Sequence, residues 1–212
     1  MKRAALFDLD GVIVDTEELY TVFWDGIEHR YPTGIPDFAH AIKGTSIGSI
    51  LANYESEDVK ADILRRLHHY ESCEMDYEVY PGVIDFITSL KEQGVATAIV
   101  TSSADDKMEC LFRSQPALRT LVDIIITSNM ITRSKPDPEG YLLAASRLGC
   151  EPERCWVFED SLQGLEAGRR AGATVVGLAT TNPRPRVEPL ADMVIDGWEG
   201  FTPSMLPGFS KP

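Results

Sequence analysis

Positive charge is scarce in this sequence of 212 residues. Lysine and arginine together number 20 against 33 aspartates and glutamates, which makes the formal net charge −13 at pH 7. Nucleic acids and anionic membranes bind proteins through basic surfaces, so we expect neither of them as a partner. The same acidic surface does not attract an anionic ligand. A site for such a ligand therefore needs a cation of its own.

Cysteine and long apolar runs are scarce as well. The 4 cysteines are scattered without a C-x-x-C spacing, which is typical of reduced thiols in a cytoplasmic protein. The apolar run after Lys2 and Arg3 is interrupted at Asp8, too early for the apolar segment of a secretory signal peptide. No apolar run approaches transmembrane length. The sequence therefore predicts a cytoplasmic protein.

Six short apolar runs are the main signal of secondary structure. They are continuous rather than alternating, which is typical of parallel strands covered by helices on both faces. Helical stretches separate them, and Gly94, Gly149 and Gly172 follow three of these stretches as stop signals. This order predicts an α/β fold with a doubly wound parallel sheet. The predicted strands are Ala4–Phe7, Ala96–Val100, Asp123–Thr127, Cys155–Phe158, Thr174–Leu178 and Met193–Ile195.

One segment interrupts the alternation of strands and helices. Between about Thr16 and Tyr80 the sequence shows helical, charged stretches and no convincing strand. A helical insertion directly after the first strand would lie over the carboxyl edge of the sheet, where open α/β sheets bind their ligands. We therefore expect a catalytic core of residues 1–15 and 81–212 and an inserted helical cap of residues 16–80.

Polar side chains stand at or soon after the carboxyl ends of the first four predicted strands. Because those ends meet at one edge of a parallel sheet, side chains from four separate segments should converge there. They supply carboxylates, hydroxyls and one ammonium group. In chain order they are Asp8 and Asp10, Thr101 and Ser102, Lys135, and Glu159 and Asp160.

This set of groups suits phosphoryl transfer. A carboxylate such as Asp8 can attack phosphorus and form an aspartyl-phosphate. Because two anions repel each other, a divalent cation such as Mg²⁺ is needed, and Asp8 and Asp160, with Glu159 in support, suit it as oxygen ligands. A hydroxyl and a lysine can hold the phosphoryl oxygens, and a second carboxylate can move the proton of the leaving alcohol. We therefore expect an enzyme that acts on a small phosphorylated metabolite.

Four motifs together resemble the haloacid dehalogenase superfamily. They are FDLDGVIVDT, VTSS, SKPDP and FEDSLQGLEAGRRAGA, in the order of that family and over nearly the whole chain. The resemblance is closest to the phosphatase and β-phosphoglucomutase-like branch, and it implies a Rossmann-like core with a helical cap. It also implies Asp8 as nucleophile, Asp10 as general acid and base, and Thr101 and Lys135 on the phosphate. Asp8, Asp160 and the backbone carbonyl of Asp10 would hold Mg²⁺.

The cap departs from the pattern of the mutases. Tyr20 stands where β-phosphoglucomutases carry a histidine, and Ile47 stands where they carry an arginine, although Lys43 and Gly44 are retained. An arginine is the natural bidentate group for the second phosphate of a bisphosphate intermediate. We therefore expect a phosphatase, with a phosphomutase as the alternative. The expected contacts to phosphate and substrate are Asp8, Leu9, Asp10, Tyr20, Lys43, Thr101, Ser102 and Lys135.

Other interpretations stay open. Asp8 and Asp10 could form an ordinary turn after a strand, and Tyr20 and Lys43 could be ordinary packing and surface residues. A phosphoacceptor module resembling response-regulator receivers would carry similar groups, but receivers are much shorter and have no cap. The substrate is open between sugar phosphates, phosphoglycolate, nucleoside monophosphates and pyrophosphate. For the oligomeric state we expect a monomer or a small homo-oligomer.

Overall fold

A six-stranded parallel sheet forms the centre of the computed structural model, which describes residues 2–209. The strands are β1 (Ala4–Phe7), β2 (Ala96–Val100), β3 (Ile124–Ile126), β4 (Cys155–Glu159), β5 (Thr174–Leu178) and β6 (Met193–Ile195). Their order across the sheet is β3-β2-β1-β4-β5-β6, and every pair of neighbours is parallel. The predicted doubly wound parallel sheet is confirmed.

The observed strands coincide closely with the predicted ones. Each predicted run is a strand, and the bounds differ only at β3, which is shorter by one residue at each end, and at β4, which extends to Glu159. Before β3, the Asp123 carboxylate accepts hydrogen bonds from the Thr97 amide at 2.8 Å and the Thr97 hydroxyl at 3.3 Å. At the end of β4, Glu159 continues the parallel register opposite Gly177. The boundary between strand and site therefore falls on Glu159 itself.

Helices cover both faces of the sheet. They are α1 (Glu17–Arg30), α2 (Phe38–Ala41), α3 (Ile47–Leu51), α4 (Glu57–His69), α5 (Val83–Glu92), α6 (Asp105–Ser114), α7 (Leu118–Leu121), α8 (Glu139–Leu148), α9 (Leu162–Ala171) and α10 (Arg184–Val187). Successive side chains of β1 point to opposite faces, so Phe7 joins a cluster with α5 and α6, while Leu6 packs with α8 and α9. Within residues 2–209, none of these helices combines the length and apolar character needed to cross a lipid bilayer.

The first strand is the centre of the sheet and fixes the position of the residue that follows it. β1 lies between β2 and β4, and all four of its side chains are buried. The Phe7 ring stacks on the Phe158 ring of β4, with 4.5 Å between centroids. Burial on both faces requires an apolar side chain at every position, which explains the continuous apolar run. Asp8 therefore follows a strand that is central in the sheet and packed on both faces.

The segment between β1 and α5 forms an inserted helical cap. It contains α1 to α4 and a π-helical turn at Tyr70–Glu74, and this fully described segment contains no strand. The cap has its own hydrophobic cluster. The predicted helical cap is confirmed, while its bounds at residues 16 and 80 stay a prediction. Members of the cluster include Trp24, Ile27, Phe38, Ile50, Ile63 and Leu67.

Two backbone segments connect the cap to the sheet and lie side by side. The Asp15 amide donates to the Glu78 carbonyl at 2.8 Å, and the Tyr80 amide donates to the Ile13 carbonyl at 3.0 Å. The cap thus leaves and rejoins the core at one point, just beyond the carboxyl edge of β1. This connection places the cap next to Asp8.

Candidate active site

The loop that follows β1 carries Asp8 to the edge of the sheet. The Asp8 amide donates to the Phe158 carbonyl at 3.0 Å, so pairing with β4 continues past the end of β1. Leu9, the next residue, is fully buried. Gly11 has a φ of +74°, and a side chain there would overlap the carboxylate of Asp160. The glycine therefore allows Asp160 to approach this loop closely.

A buried lysine lies between two carboxylates. The Lys135 Nζ is 2.5 Å from Asp8 Oδ1 and 2.5 Å from Glu159 Oε1, and it donates to the Val100 carbonyl at 3.3 Å. Burial opposes the charge of the lysine, but the two carboxylates outweigh it and raise the pKa of Lys135 above its ordinary value. Lys135 therefore stays protonated and fixes the position of Asp8.

Protein contacts occupy both carboxylate oxygens of Glu159. Oε1 accepts from Lys135 at 2.5 Å and from the Tyr141 hydroxyl at 2.7 Å. Oε2 accepts from the two backbone amides that follow it, at 3.1 and 3.2 Å, and from the Ser161 hydroxyl at 3.0 Å. Gly164, in the first turn of α9, lies against this carboxylate, and a Cβ at its position would overlap the Glu159 side chain. Glu159 therefore joins the lysine to the start of α9.

The neighbouring Asp160 has the opposite environment. Both of its carboxylate oxygens are buried, and neither makes a hydrogen bond of normal geometry to a residue within 2–209. Burial raises the pKa of Asp160 well above its usual range, and surrounding negative charge, led by Glu17, raises it further. The nearby Thr181 hydroxyl lowers this pKa only in part. A buried carboxylate of this kind calls for a positive partner.

Three buried carboxylates converge at this point. One oxygen from each of Asp8, Glu159 and Asp160 lies within 4.8 Å of the others. Burial raises the pKa of Asp8 to about 8, against the opposing charge of Lys135. Three carboxylates around one lysine leave negative charge in excess, and oxygen donors are the ligands that hard divalent cations prefer. The residues present therefore fit a divalent cation such as Mg²⁺.

Three side chains hold Asp10, the second carboxylate of the first motif. The Lys107 Nζ contacts its two carboxylate oxygens at 2.7 and 2.6 Å. The Ser103 hydroxyl donates to Oδ2 at 3.2 Å, and the Thr16 hydroxyl donates to Oδ1. Asp10 is therefore fixed by a core helix on one side and by the start of the cap on the other.

Lys107 was not among the predicted site residues. It is 3% exposed, lies in the first turn of α6, and has its Nζ 4.5 Å from the centroid of the Tyr20 ring. The surrounding sequence ADDKMEC resembles no motif. One signal was present, because the helix dipole disfavours a lysine in a first turn unless an anion faces it. That anion is Asp10.

Thr101 and Ser102, which follow β2, make hydrogen bonds to the core and to the cap respectively. Thr101 is buried, and its hydroxyl accepts a hydrogen bond from the Ser103 amide at 3.0 Å. The Ser102 hydroxyl donates to the carbonyl of Gly44 in the cap at 3.0 Å. The motif therefore joins the sheet edge to the cap as well as lining the site.

The two predicted specificity residues of the cap have acidic partners. The Tyr20 hydroxyl donates to Glu71 Oε1 at 2.7 Å, and the Lys43 Nζ is 3.0 Å from Glu17 Oε2. Burial raises the pKa of Glu71 and of Glu17 above their ordinary values. Neither acid was predicted, because Glu71 lies 51 residues from Tyr20 and neither belongs to a motif.

One cavity of about 160 Å³ joins the sheet edge and the cap. Lys135 and Glu159 are buried directly beside Asp8, and Leu9 follows it in the loop. The structure thus gathers the predicted site residues around one space, while their individual roles stay predictions. The predicted residues that line the cavity are Asp8, Asp10, Tyr20, Lys43, Thr101, Ser102 and Asp160.

Comparison with known proteins identifies the family. The family model for haloacid dehalogenase-like hydrolases matches residues 5–178. Hexitol phosphatase A from Escherichia coli (strain K12) is 30% identical over 210 residues, which cover 97% of this chain and 95% of that protein. The match therefore extends over the core and the cap together.

Solved structures share the same architecture. The crystal structure of CbbY from Rhodobacter sphaeroides in complex with phosphate has a TM-score of 0.76 and 27% identity, covering 93% of this chain and 95% of CbbY. The β-phosphoglucomutase of Clostridium difficile has a TM-score of 0.79 over 95% of this chain and 94% of its own, but its 24% identity shows a shared fold alone. These similarities confirm the predicted resemblance and the predicted hydrolase. On its sequence and its fold, the chain belongs to the haloacid dehalogenase-like hydrolase family.

Proposed function

We propose that this protein is a Mg²⁺-dependent phosphatase that hydrolyses a small phosphorylated metabolite, such as a sugar phosphate, through an aspartyl-phosphate on Asp8. The observation that carries the proposal is the contact of Asp8 with Lys135 beside the buried carboxylate of Asp160. A nucleophile, a fixed positive charge and a cation ligand therefore adjoin one cavity.

In the first half-reaction, a carboxylate oxygen of Asp8 attacks phosphorus. A bond forms between that oxygen and phosphorus while the ester P–O bond breaks, and the leaving alcohol takes a proton from Asp10. Lys135, which Glu159 holds in place, offsets the negative charge that spreads over the phosphoryl oxygens. Burial strengthens these interactions, because charges interact more strongly away from water.

In the second half-reaction, water hydrolyses the aspartyl-phosphate. Asp10 takes a proton from the water, the water oxygen bonds to phosphorus, and the P–O bond to Asp8 breaks to release inorganic phosphate. Asp10 is then protonated again for the next cycle. Lys107, Ser103 and Thr16 hold the Asp10 carboxylate, so that it meets the leaving group and the water in one position.

Asp8 and Asp160 would hold the Mg²⁺, together with the backbone carbonyl of Asp10 that the family resemblance suggests. When bound, the ion reduces the repulsion between the carboxylate nucleophile and the phosphate. Glu159 is expected as a supporting ligand, but both of its oxygens already accept hydrogen bonds. These contacts favour Asp160 as the ligand and Glu159 as the group that positions Lys135.

The remaining predicted contacts divide between the phosphate and the rest of the substrate. We assign substrate selection to the cap of residues 16–80 and catalysis to the core of residues 1–15 and 81–212. A cytoplasmic location and a monomer or small homo-oligomer stay predictions from the sequence. On the phosphate we place Thr101, Ser102, Lys135 and the backbone of Leu9, and on the rest of the substrate Tyr20 and Lys43.

Hydrolysis is favoured over a phosphomutase reaction by the residues around the cavity. A mutase must hold a second phosphate, yet the described lining residues include Ile47 and no arginine. Similarity to a hexitol phosphatase supports a phosphatase as well. Membership of a hydrolase family favours an enzyme over a receiver-like phosphoacceptor module.

Replacement of the nucleophile tests this function. With Mg²⁺ and a panel of sugar phosphates, Asp8→Asn should release phosphate at least about 10³-fold more slowly, because the amide cannot replace the carboxylate as nucleophile. EDTA should abolish the wild-type activity and Mg²⁺ should restore it. Asp25→Asn, at an exposed position on α1, should stay within about twofold of the wild type.

Two outcomes would contradict the proposal. Full activity of Asp8→Asn would exclude Asp8 as the nucleophile. Conversion of glucose 1-phosphate into glucose 6-phosphate without phosphate release would identify a phosphomutase instead.

A further inference from the structure

Apolar side chains cover much of the cap side of the cavity. Opposite the charged sheet edge, aromatic and aliphatic side chains from α1 to α4 and the loop between α2 and α3 face the same space. They also belong to the hydrophobic cluster of the cap, so cap packing holds them in position. The part of a substrate that lies against these side chains therefore contacts carbon atoms. The apolar lining includes Trp24, Ala39, Ile42, Ile47, Ile50 and Leu67.

The two lysines that line the cavity are already paired. The Lys43 Nζ is 3.0 Å from the Glu17 carboxylate, and both side chains are mostly buried. The Lys107 Nζ contacts both carboxylate oxygens of Asp10. The described lining residues include no arginine. Both ammonium groups are thus already paired with a carboxylate of the protein, so a second negative group on a substrate would meet no unpaired lysine among the described lining residues.

Negative charge is in excess around the cavity. Glu71 and Asp106 line it in addition to the carboxylates of the sheet edge. His68 also lines it, but this side chain is exposed and its Nδ1 is 3.9 Å from Asp106 Oδ2. A second anionic group on a substrate would lose its hydration here and lie among like charges, which is unfavourable on both counts.

We infer that the cap selects a monophosphate whose remaining part is compact and uncharged, and rejects substrates with a second anionic group, namely bisphosphates and phosphorylated carboxylic acids. The inference rests on the proposed phosphatase function, because it concerns the substrate of the same cavity. The volume of about 160 Å³ suits a compact body, since a protein cavity of about 150 Å³ takes up benzene.

Matched pairs of substrates test this inference. D-glucitol 6-phosphate and 6-phosphogluconate differ at one carbon, which is a CH₂OH group in the first and a carboxylate in the second. Glycerol 3-phosphate and 3-phosphoglycerate differ in the same way. We expect the wild-type enzyme with Mg²⁺ to hydrolyse at least one pair. In any such pair, kcat/KM should be at least about tenfold higher for the member with the CH₂OH group than for the member with the carboxylate. Fructose 6-phosphate should exceed fructose 1,6-bisphosphate by a similar factor.

A charge placed in the cap should change this preference. Ile47 is partly buried in the lining, so a longer side chain can extend into the cavity or towards solvent. Ile47→Arg should raise kcat/KM for the anionic member, relative to the neutral member, by about fivefold or more. Ile47→Gln is the matched control, because it is polar and long but uncharged, and its ratio should stay near that of the wild type. Thermal melts of both variants would verify that they are folded.

The outcomes separate the inference from the function on which it rests. Turnover of both members of a pair at equal rates, or faster turnover of the anionic member, would overturn the inference and leave the phosphatase intact. Equal ratios in folded Ile47→Arg and Ile47→Gln would overturn it as well. Absence of turnover for every monophosphate, with Mg²⁺ present, would instead contradict the proposed function itself.

Discussion

The carboxyl edge of the sheet and the interior of the cap are both buried, but they bury opposite kinds of side chain. At the edge, three carboxylates converge within a few ångströms, and Lys135 pairs with two of them, Asp8 and Glu159. In the cap, rings pack edge to face: Trp24 and Phe38 have centroids 6.3 Å apart, and Phe38 and Tyr54 have centroids 6.2 Å apart. The edge therefore lacks positive charge to balance its carboxylates, whereas the apolar side chains of the cap core pack on one another and need no counter-charge.

This difference separates two tasks. Buried carboxylates in excess of positive charge destabilise a fold unless a cation joins them, so their presence at the edge is explained by the reaction rather than by packing. An apolar cap core tolerates changes of shape without changing the charges at the edge. Substitutions at the edge should therefore affect every substrate alike, and substitutions in the cap should change which substrate is preferred.

The largest effect in this comparison is expected at Asp160. Asp160→Asn should lower kcat/KM for phosphate release by about 10³-fold, because it removes a proposed ligand of the divalent cation. In EDTA, the same variant should be more stable than the wild type, because it removes a buried carboxylate that has no hydrogen bond of normal geometry to any residue within 2–209. Kinetic assays and thermal melts with and without Mg²⁺ would check both effects. Equal stabilisation of variant and wild type by Mg²⁺ would exclude Asp160 as a ligand.

A smaller effect is expected at Lys107, which lies where the edge meets the cap. Lys107→Met should lower kcat by about ten- to a hundredfold with little change in KM, because Asp10 loses the contact that fixes both of its oxygens. Lys60→Met on α4, where the lysine pairs with exposed Glu57, is the matched control. Identical kinetics in the two variants would assign Lys107 to packing alone.

The smallest effect concerns the stability of the metal-free protein. Burial raises the pKa of Asp8 from 3.8 to about 8, so the folded protein keeps a proton that the unfolded chain releases. This contribution to stability is complete below the ordinary pKa and is lost as the pH rises through about 8. In EDTA, urea titrations across this range should show a falling free energy of unfolding, and the fall should be smaller in Asp8→Asn. The same pH dependence in both proteins would show that burial does not raise the pKa of Asp8.

The position of the polar side chains at the edge could be predicted from the sequence because they follow the strands. A continuous apolar run marks a buried parallel strand, and the residue after such a strand must lie at the carboxyl edge. Asp8, Thr101 and Asp160 could therefore be placed together without knowledge of any contact. The cap could be recognised in the same way, because a long helical segment interrupts the alternation of strands and helices.

Contacts between distant side chains could not be predicted. Lys107 and Asp10 are 97 residues apart, and only the rotation of α6 decides that they meet. Glu71 reaches Tyr20 from a π-helical turn, whose spacing differs from the ordinary helical period. The pattern Glu159-Asp160 indicates two acids, but local backbone amides decide that the first is fully hydrogen-bonded and the second is not.

The central claim is that Asp8 carries the phosphoryl group, and trapping that group tests it most directly. The enzyme would be mixed with Mg²⁺ and the best monophosphate substrate labelled in its phosphate, quenched in acid within milliseconds, digested and mapped. We expect a labelled acyl phosphate on Asp8 that hydroxylamine removes, that unlabelled substrate chases, and that Asp8→Asn lacks. Rapid turnover without covalent label, or label on another residue, would contradict it.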